Sequence, residues 1–267
     1  MKNPLDAYRM DDRVVVVTGA ASGIGAATCE VLAAAGAVLV CGDVNADGIE
    51  DTVEAVKSAG SRALGVVTDV TARADVAALV DAAVSEFGQV DAVCNIAGAM
   101  FPGLIEDLDD DTIDRGIALN LKGVLYGTQY AIRAMKANGR GAIVNVSSTG
   151  IDAPYAGIGL YALTKAAVAM LTMTAAAEAG EHGIRVNAIA PGMTVTPFTT
   201  WRMVKPDGTL DQAAYDEFLE FSREQSPLHV VGEAIDQALL IHYLVSDASK
   251  FATGNIFRVN GGQSMAW

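Results

Sequence analysis

Four consecutive valines, Val14–Val17, run straight into Thr18-Gly19-Ala20-Ala21-Ser22-Gly23-Ile24-Gly25 and then into an Ala/Leu-rich stretch, Ile24–Ala35. A short β-branched run suits a strand buried on both faces. A strand that turns through glycines into a helix N-terminus makes an anion site. The backbone approaches a ligand closely there, and the free N–H groups and helix dipole favour phosphate. The glycines follow G-x-x-x-G-x-G, so Gly19, Ser22, Gly23, Ile24 and Gly25 are read as a cradle for the phosphates of a nucleotide.

The same alternation continues down the chain. Short apolar strands are expected at Ala37–Gly42, Ala63–Thr68, Val90–Cys94, Ala142–Ser147, Arg185–Ile189 and near Asn255–Val259. Helical patterns separate them at Asp47–Ala59, Ala72–Phe87, roughly Asp111–Ala137, roughly Ile158–Glu181, near Asp211–Phe221 and at Glu233–Val245. Strict alternation with buried strands implies a mostly parallel sheet with helices on both faces. One segment breaks the rhythm. Residues 192–227 scatter Phe198, Trp201, Met203, Tyr215, Phe218 and Phe221 among Thr, Pro and Gly, as a lid would.

The whole chain narrows the function classes. Its 267 residues, 51% hydrophobic, suit one α/β domain. The net charge of −14 argues against nucleic acid and against an anionic membrane surface. No run of about 18 apolar residues marks a span, and Met1–Asp6 lacks the apolar core of a signal peptide. Cys29, Cys41 and Cys94 read as buried thiols in a reducing, cytoplasmic setting. No metal site is expected. Asp107, Asp109 and Asp111 alternate like the start of a calcium loop, but Thr112 and Ala118 stand where that loop needs Gly and Glu, so these acids are read as caps of the following helix.

Two positions carry the chemistry. Asp43 ends the second expected strand, with Val44 after it; an acid there accepts both hydroxyls of an adenosine ribose and repels a 2′-phosphate. No Arg or Lys lies between Asp43 and Lys57 or inside the glycine loop, so NAD is preferred over NADP. Of seven tyrosines only Tyr161 has a lysine four residues on, Lys165. On a helix both point the same way, and a nearby cation is expected to lower the phenol pKa, making Tyr161 an acid/base for a carbonyl or alcohol.

With these residues in hand the chain resembles the short-chain dehydrogenase/reductase family over nearly its whole length. Thr18–Gly25 matches the family's T-G-x-x-x-G-I-G signature, and Asp69-Val70 resembles the pair that contacts adenine. Asn95-Ile96-Ala97-Gly98 resembles its N-N-A-G motif, with Ile96 in place of the second Asn. Asn120 resembles the active-site asparagine of the long central helix. Ser148, thirteen residues before Tyr161, resembles the catalytic serine; adjacent Ser147 does not fit that spacing. Pro191-Gly192-Met193-Thr194-Val195-Thr196 resembles the stretch that closes over nicotinamide, with Thr194 where Val or Ile is usual, and Asn260-Gly261-Gly262 resembles the C-terminal glycine pair.

The resemblance implies a single-domain α/β, Rossmann-type three-layer sandwich with a mostly parallel seven-stranded sheet. It also implies hydride transfer between nicotinamide and a secondary alcohol or ketone. Tyr161 is the acid/base, Lys165 tunes it and holds the nicotinamide ribose, Ser148 binds the substrate oxygen, and Asn120 holds a water of a proton relay. Besides the glycine loop and Asp43, the cofactor is expected to meet Asp69, Val70, Asn95, Ala97, Gly98, Pro191, Gly192, Thr194 and Thr196. Met100, Asp152, Tyr155, Met193, Phe198 and Trp201 are expected around a small-molecule substrate with an apolar body. The family is usually a homotetramer built on its two long helices, and the C-terminal Met265-Ala266-Trp267 is expected to tuck against a neighbouring subunit. Two other readings stay open at this point: an NADPH-dependent reductase of ketones or 3-oxoacyl thioesters, and an NAD-binding regulator without turnover.

Overall fold

The computed structural model describes residues 3–265; Ala266 and Trp267, the end of the proposed C-terminal tuck, lie outside the described residues. Seven strands form one sheet: β1 Val14–Thr18, β2 Val38–Asp43, β3 Ala63–Val67, β4 Ala92–Asn95, β5 Gly141–Val146, β6 Ile184–Ile189 and, numbered last in chain order, β9 Ile256–Phe257. Their order is β3-β2-β1-β4-β5-β6-β9, and every pairing is parallel. The helices are α1 Gly23–Ala34, α2 Ala46–Ser58, α3 Arg73–Phe87, α4 Asp110–Ile117, α5 Gly123–Lys136, α6 Gly159–Ala179, α7 Pro197–Thr200, α8 Gln212–Gln225 and α9 Ala234–Val245. A two-residue pair, β7 Thr194–Val195 with β8 Gly232–Glu233, stands apart from the main sheet.

The valine run shows why the sheet is double-faced. Alternate side chains point to opposite faces of a strand. Val15 and Val17 enter one core with Leu32 of α1, Val56 of α2 and Ile241 of α9. Val14 and Val16 enter a second with Leu79 of α3, Met135 of α5 and Ala176 of α6. The result is helix, sheet, helix: three layers, as the alternation requires.

Element ends follow local chemistry. Asn45 caps α2 by accepting from Gly48 N–H, and Gly88, at φ 81°, takes the left-handed turn that ends α3. Asp109 caps α4, accepting from Thr112 N–H at 2.7 Å, so this acid serves a helix end. The long central helix is not uniform: a π-turn, Ala118–Lys122, joins α4 to α5, with Asn120 at its centre. Such turns cluster at functional sites because they displace backbone carbonyls from regular pairing. Among the described residues one helical run, Gly159–His182, is apolar and long enough to span a membrane by composition alone. The sequence criterion of an unbroken apolar run had passed over it; half of it is packed inside the fold, and Lys165 is on its buried side.

The strand order reverses between β1 and β4, which stay paired to their C-terminal ends. That is where open parallel sheets bind ligands, and a deep cavity opens there.

Candidate active site

The cavity measures about 650 Å³ and runs from the tip of β2 to the N-terminal half of α6. At one end the glycine loop is tight enough to exclude side chains. Gly19 and Gly23 have φ of 72° and 54°. A Cβ on Gly25 would lie 1.9 Å from the Gly19 carbonyl oxygen, so helix and loop touch only because that carbon is missing. Asp43 is fixed beside this loop: Ala21 N–H donates to Oδ2 at 3.1 Å and Asn45 N–H to Oδ1 at 3.0 Å. No Lys or Arg pairs with Asp43 among the described residues. A backbone-lined cradle of this kind fits the phosphates of a dinucleotide.

At the other end Tyr161, Lys165 and Ser148 line the same cavity. The π-turn positions the floor. Asn120 spends its side chain on one residue, with Nδ2 donating to Ala99 O and Oδ1 accepting from Ala99 N–H, both at 2.9 Å. A Cβ on Gly98 would come 2.9 Å from Asn120 Oδ1 and 3.4 Å from Lys165 Nζ, so Gly98 lets the two groups converge. Lys165 Nζ donates to Val146 O at 2.9 Å, and burial pulls its pKa down to about 8.

Tyr161 behaves differently from the sequence expectation. Its pKa is raised, because burial outweighs the lowering effect of its hydrogen bond with Ser148. Lys165 Nζ sits 5.6 Å from the ring centroid and bonds the Val146 carbonyl, so its charge does not dominate the phenol. Ser148 and Ser147 both line the cavity but differ in their bonds: Ser148 Oγ accepts from Gly150 N–H at 3.1 Å, while the hydroxyl of buried Ser147 is used on Lys165 O at 2.9 Å.

Most of the expected cofactor residues line the cavity: the glycine loop, Asp43, Val44, Asp69, Val70, Ala97, Gly98, Pro191, Gly192, Thr194 and Thr196. The unusual Thr194 hydroxyl is satisfied internally, donating to Gly192 O at 3.0 Å. Asn95 is a correction. It is fully enclosed and its Nδ2 donates to Asn145 Oδ1 at 2.8 Å, while Asn145 donates to Thr172 at 3.0 Å. It ties β4 to β5 and α6 rather than facing the cavity. Asn120 likewise does not line it; its side chain bonds both backbone groups of Ala99.

On the substrate side Met100, Tyr155, Met193 and Phe198 line the cavity, and the Phe198 ring lies 5.9 Å from that of Tyr161. Two expected residues do not. Trp201 is 52% exposed and stacks with Arg202 on the surface. Asp152 turns away to Arg258, receiving Nε at 2.6 Å and Nη2 at 2.8 Å, and Arg258 holds its carboxyl below the usual range. Sequence reasoning missed Phe221, Gln225, Gln263 and Ser264, which also line the cavity. Phe221 lies in the aromatic segment and carried some signal; the other three reach the site only through tertiary folding.

The profile of the short chain dehydrogenase family matches residues 13–205, from the first strand past the Tyr-Lys pair. The chain belongs to the short-chain dehydrogenases. It is an oxidoreductase of CH–OH groups that uses a nicotinamide cofactor. It is 43% identical over 252 residues to cis-4-hydroxycyclohexanecarboxylate dehydrogenase of Sinomonas cyclohexanicum, covering 94% of this chain and 96% of the relative. It is 35% identical over 268 residues to levodione reductase of Leifsonia aquatica, covering 97% of each. Among solved structures, a 7α-hydroxysteroid dehydrogenase complexed with NADH and 7-oxo glycochenodeoxycholic acid superposes with a TM-score of 0.89 at 30% identity, over 98% of both chains.

Proposed function

We propose that this short-chain dehydrogenase oxidises a secondary alcohol on an alicyclic ring with NAD, and reduces the corresponding ketone in reverse. The observation that carries the reading is the joining of Asp43, Ser148, Tyr161 and Lys165 in one cavity. Cyclic alcohols and ketones are also what the named relatives act on. The nicotinamide, when bound, accepts hydride from the carbinol carbon. Tyr161 takes the hydroxyl proton as the C–O bond becomes C=O, and returns it on reduction. Ser148 donates to the oxygen as charge grows there. Lys165, buried and positive below pH 8, favours the deprotonated phenol once solvent is excluded. Asn120 acts by fixing Ala99, and with it the floor beneath Lys165.

Asp43 supports NAD, because a 2′-phosphate beside its carboxylate would meet repulsion with no cation to offset it. Residues 192–227 serve as a lid: Phe198 and Phe221 line the cavity from that segment. A homotetramer would cover the exposed apolar faces at Leu163, Met170 and Met173 on α6 and at Leu239 and Phe251 near α9. The three buried free thiols suit a cytoplasmic setting.

The test is NADH formation from a panel of alicyclic alcohols with NAD and with NADP. Tyr161→Phe keeps the ring and removes the proton carrier, so turnover should fall at least about a hundredfold with folding retained. Near wild-type turnover in that variant would remove the assignment. Sedimentation at the mass of one chain would remove the tetramer.

A further inference from the structure

The cavity has a polar corner that the reaction does not use. It lies where the C-terminal end of α8 docks on the segment following β9. Ser226 Oγ donates to Gly261 O at 3.0 Å, and Gly262 packs on Pro227 so closely that a Cβ would come within 3.0 Å of it. The segment is pinned from the other side by the Asp152 carboxylate, which takes Arg258 and also Ser264 Oγ, the latter at 2.9 Å. Gln263 is therefore held in place from both sides, and it lines the cavity with Tyr161 and Ser148.

The orientation of its amide is set by one contact. Met193 N–H donates to Gln263 Oε1 at 2.7 Å. Oxygen must face that N–H, so Nε2 is left as a donor, and it has no hydrogen-bond partner among the described residues. Across the seam the exposed Gln225 amide also lines the cavity. A partly buried N–H donor without a protein partner gains most from an acceptor that arrives with the ligand.

The charge around this corner decides which acceptor. Lys165 is the only cation lining the cavity among the described residues, and it belongs to the Tyr161 end, where its Nζ donates to Val146 O, not to the segment after β9 that carries Gln263. Arg258, the nearest alternative in the chain's C-terminal part, is committed to Asp152. A carboxylate brought to Gln263 would lose water without gaining a counter-charge, which is costly. An uncharged oxygen needs only the N–H.

We propose that Gln263 is a specificity-determining residue. Its Nε2 donates to a second, uncharged oxygen of the substrate, a ketone or hydroxyl on the same ring as the reacting carbon. The preferred substrates are thus neutral ring diols, hydroxyketones and diketones. The proposal rests on the alicyclic-alcohol reading above and is tested separately from it.

The test measures binding as well as turnover. Cyclohexane-1,4-dione, cyclohexanone and 4-oxocyclohexanecarboxylate are titrated calorimetrically into the full-length protein with NAD, a pairing of oxidised cofactor and ketone that cannot react. Turnover is then followed on cyclohexane-1,4-diol and cyclohexanol. The wild type should bind the dione about tenfold more tightly than cyclohexanone, the effect of one hydrogen bond, and the carboxylate most weakly. Gln263→Glu keeps the acceptor for Met193 N–H and replaces the NH2 donor, so the tenfold ratio should collapse to about one. Gln263→Met, which removes both functions, should give the same ratio. A ratio unchanged in both variants, or a carboxylate bound more tightly than the dione, overturns the proposal. So does an equal loss for both ketones, since Gln263 would then only prop the segment. If the ratio behaves as expected but no alcohol turns over with either cofactor, the dehydrogenase reading fails and the corner stands. If alcohols turn over without the ratio, the corner alone fails.

Discussion

Lys165 carries a buried charge whose cost can be read as a function of pH. Burial lowers its pKa from 10.5 to about 8. At about 1.4 kcal/mol per tenfold change in proton affinity, that lowering corresponds to roughly 3.5 kcal/mol. Below pH 8 the folded and unfolded chains both hold the proton, and the whole cost weighs on the fold. Between pH 8 and 10.5 the folded protein has released the proton while the unfolded chain still binds it, so stability rises with pH. Lys165→Met keeps the length of the side chain and removes the charge. It also leaves the Val146 carbonyl without its 2.9 Å donor, a loss of about 1–3 kcal/mol that does not vary with pH. The absolute stability of the variant at pH 7 therefore reflects two opposed terms, whereas its pH dependence reflects one. The decisive measurement is urea unfolding of wild type and Lys165→Met without cofactor, at pH 7 and pH 9.5. The wild type should gain about 2 kcal/mol relative to the variant over that interval. Parallel stability curves would mean that Lys165 is not a desolvated cation, and would withdraw its role in tuning Tyr161.

Other consequences follow from the same geometry. Because burial raises the Tyr161 pKa above the ordinary phenol value of 10, alcohol oxidation should speed up toward alkaline pH, whereas ketone reduction, which needs the protonated phenol, should hold across the whole range; initial rates in both directions between pH 6 and 10 would show this. Asp43→Ala should cut the NAD over NADP preference in kcat/KM at least tenfold, and the same change should appear in cofactor Kd by fluorescence titration. Gly127→Ala would put a Cβ 1.9 Å from Asn95 Oδ1 in a sealed interior, so thermal unfolding should reveal a loss of about 2–3 kcal/mol. Asp152→Ala strands the Arg258 guanidinium and should cost about 3 kcal/mol. The stability that Asp152 contributes is present above pH 4 and fades as acid protonates it below its depressed pKa.

What could be read from the sequence divides along a physical line. The strands were legible because each is a local β-branched or apolar run, whereas the register of β1 against β2 and β4 comes from the folded sheet. The glycine loop was legible because its demand is steric and local: no side chain fits at Gly25. The helix bearing Tyr161 and Lys165 was legible because an i, i+4 pair is set by helix geometry alone. Failures came where a side chain's partner lies far along the chain. Asp152 looked like a substrate contact because its neighbours in sequence are; its actual partner, Arg258, is more than a hundred residues away. Asn95 sat in a recognisable motif, yet its Nδ2 donates to Asn145 in the interior.

The same line explains why the cofactor half of the cavity was easier to anticipate than the substrate half. Phosphate and ribose are met by backbone and by residues at strand ends, whose positions the alternating pattern fixes. The other half of the cavity is walled by pieces that meet only after folding: Phe198 beside β7, Phe221 and Gln225 on α8, and Gln263 after β9. None of these is forced into the site by local geometry. They are held by Ser226 on Gly261 and by Arg258 on Asp152, contacts that tie two late segments to the loop before Tyr161. On the proposed reading, substrate preference is encoded in the parts of the chain least constrained by the sheet. Segments at this seam can change without disturbing β1 to β6, and that is the physical route by which one hydride-transfer site can serve differently substituted rings.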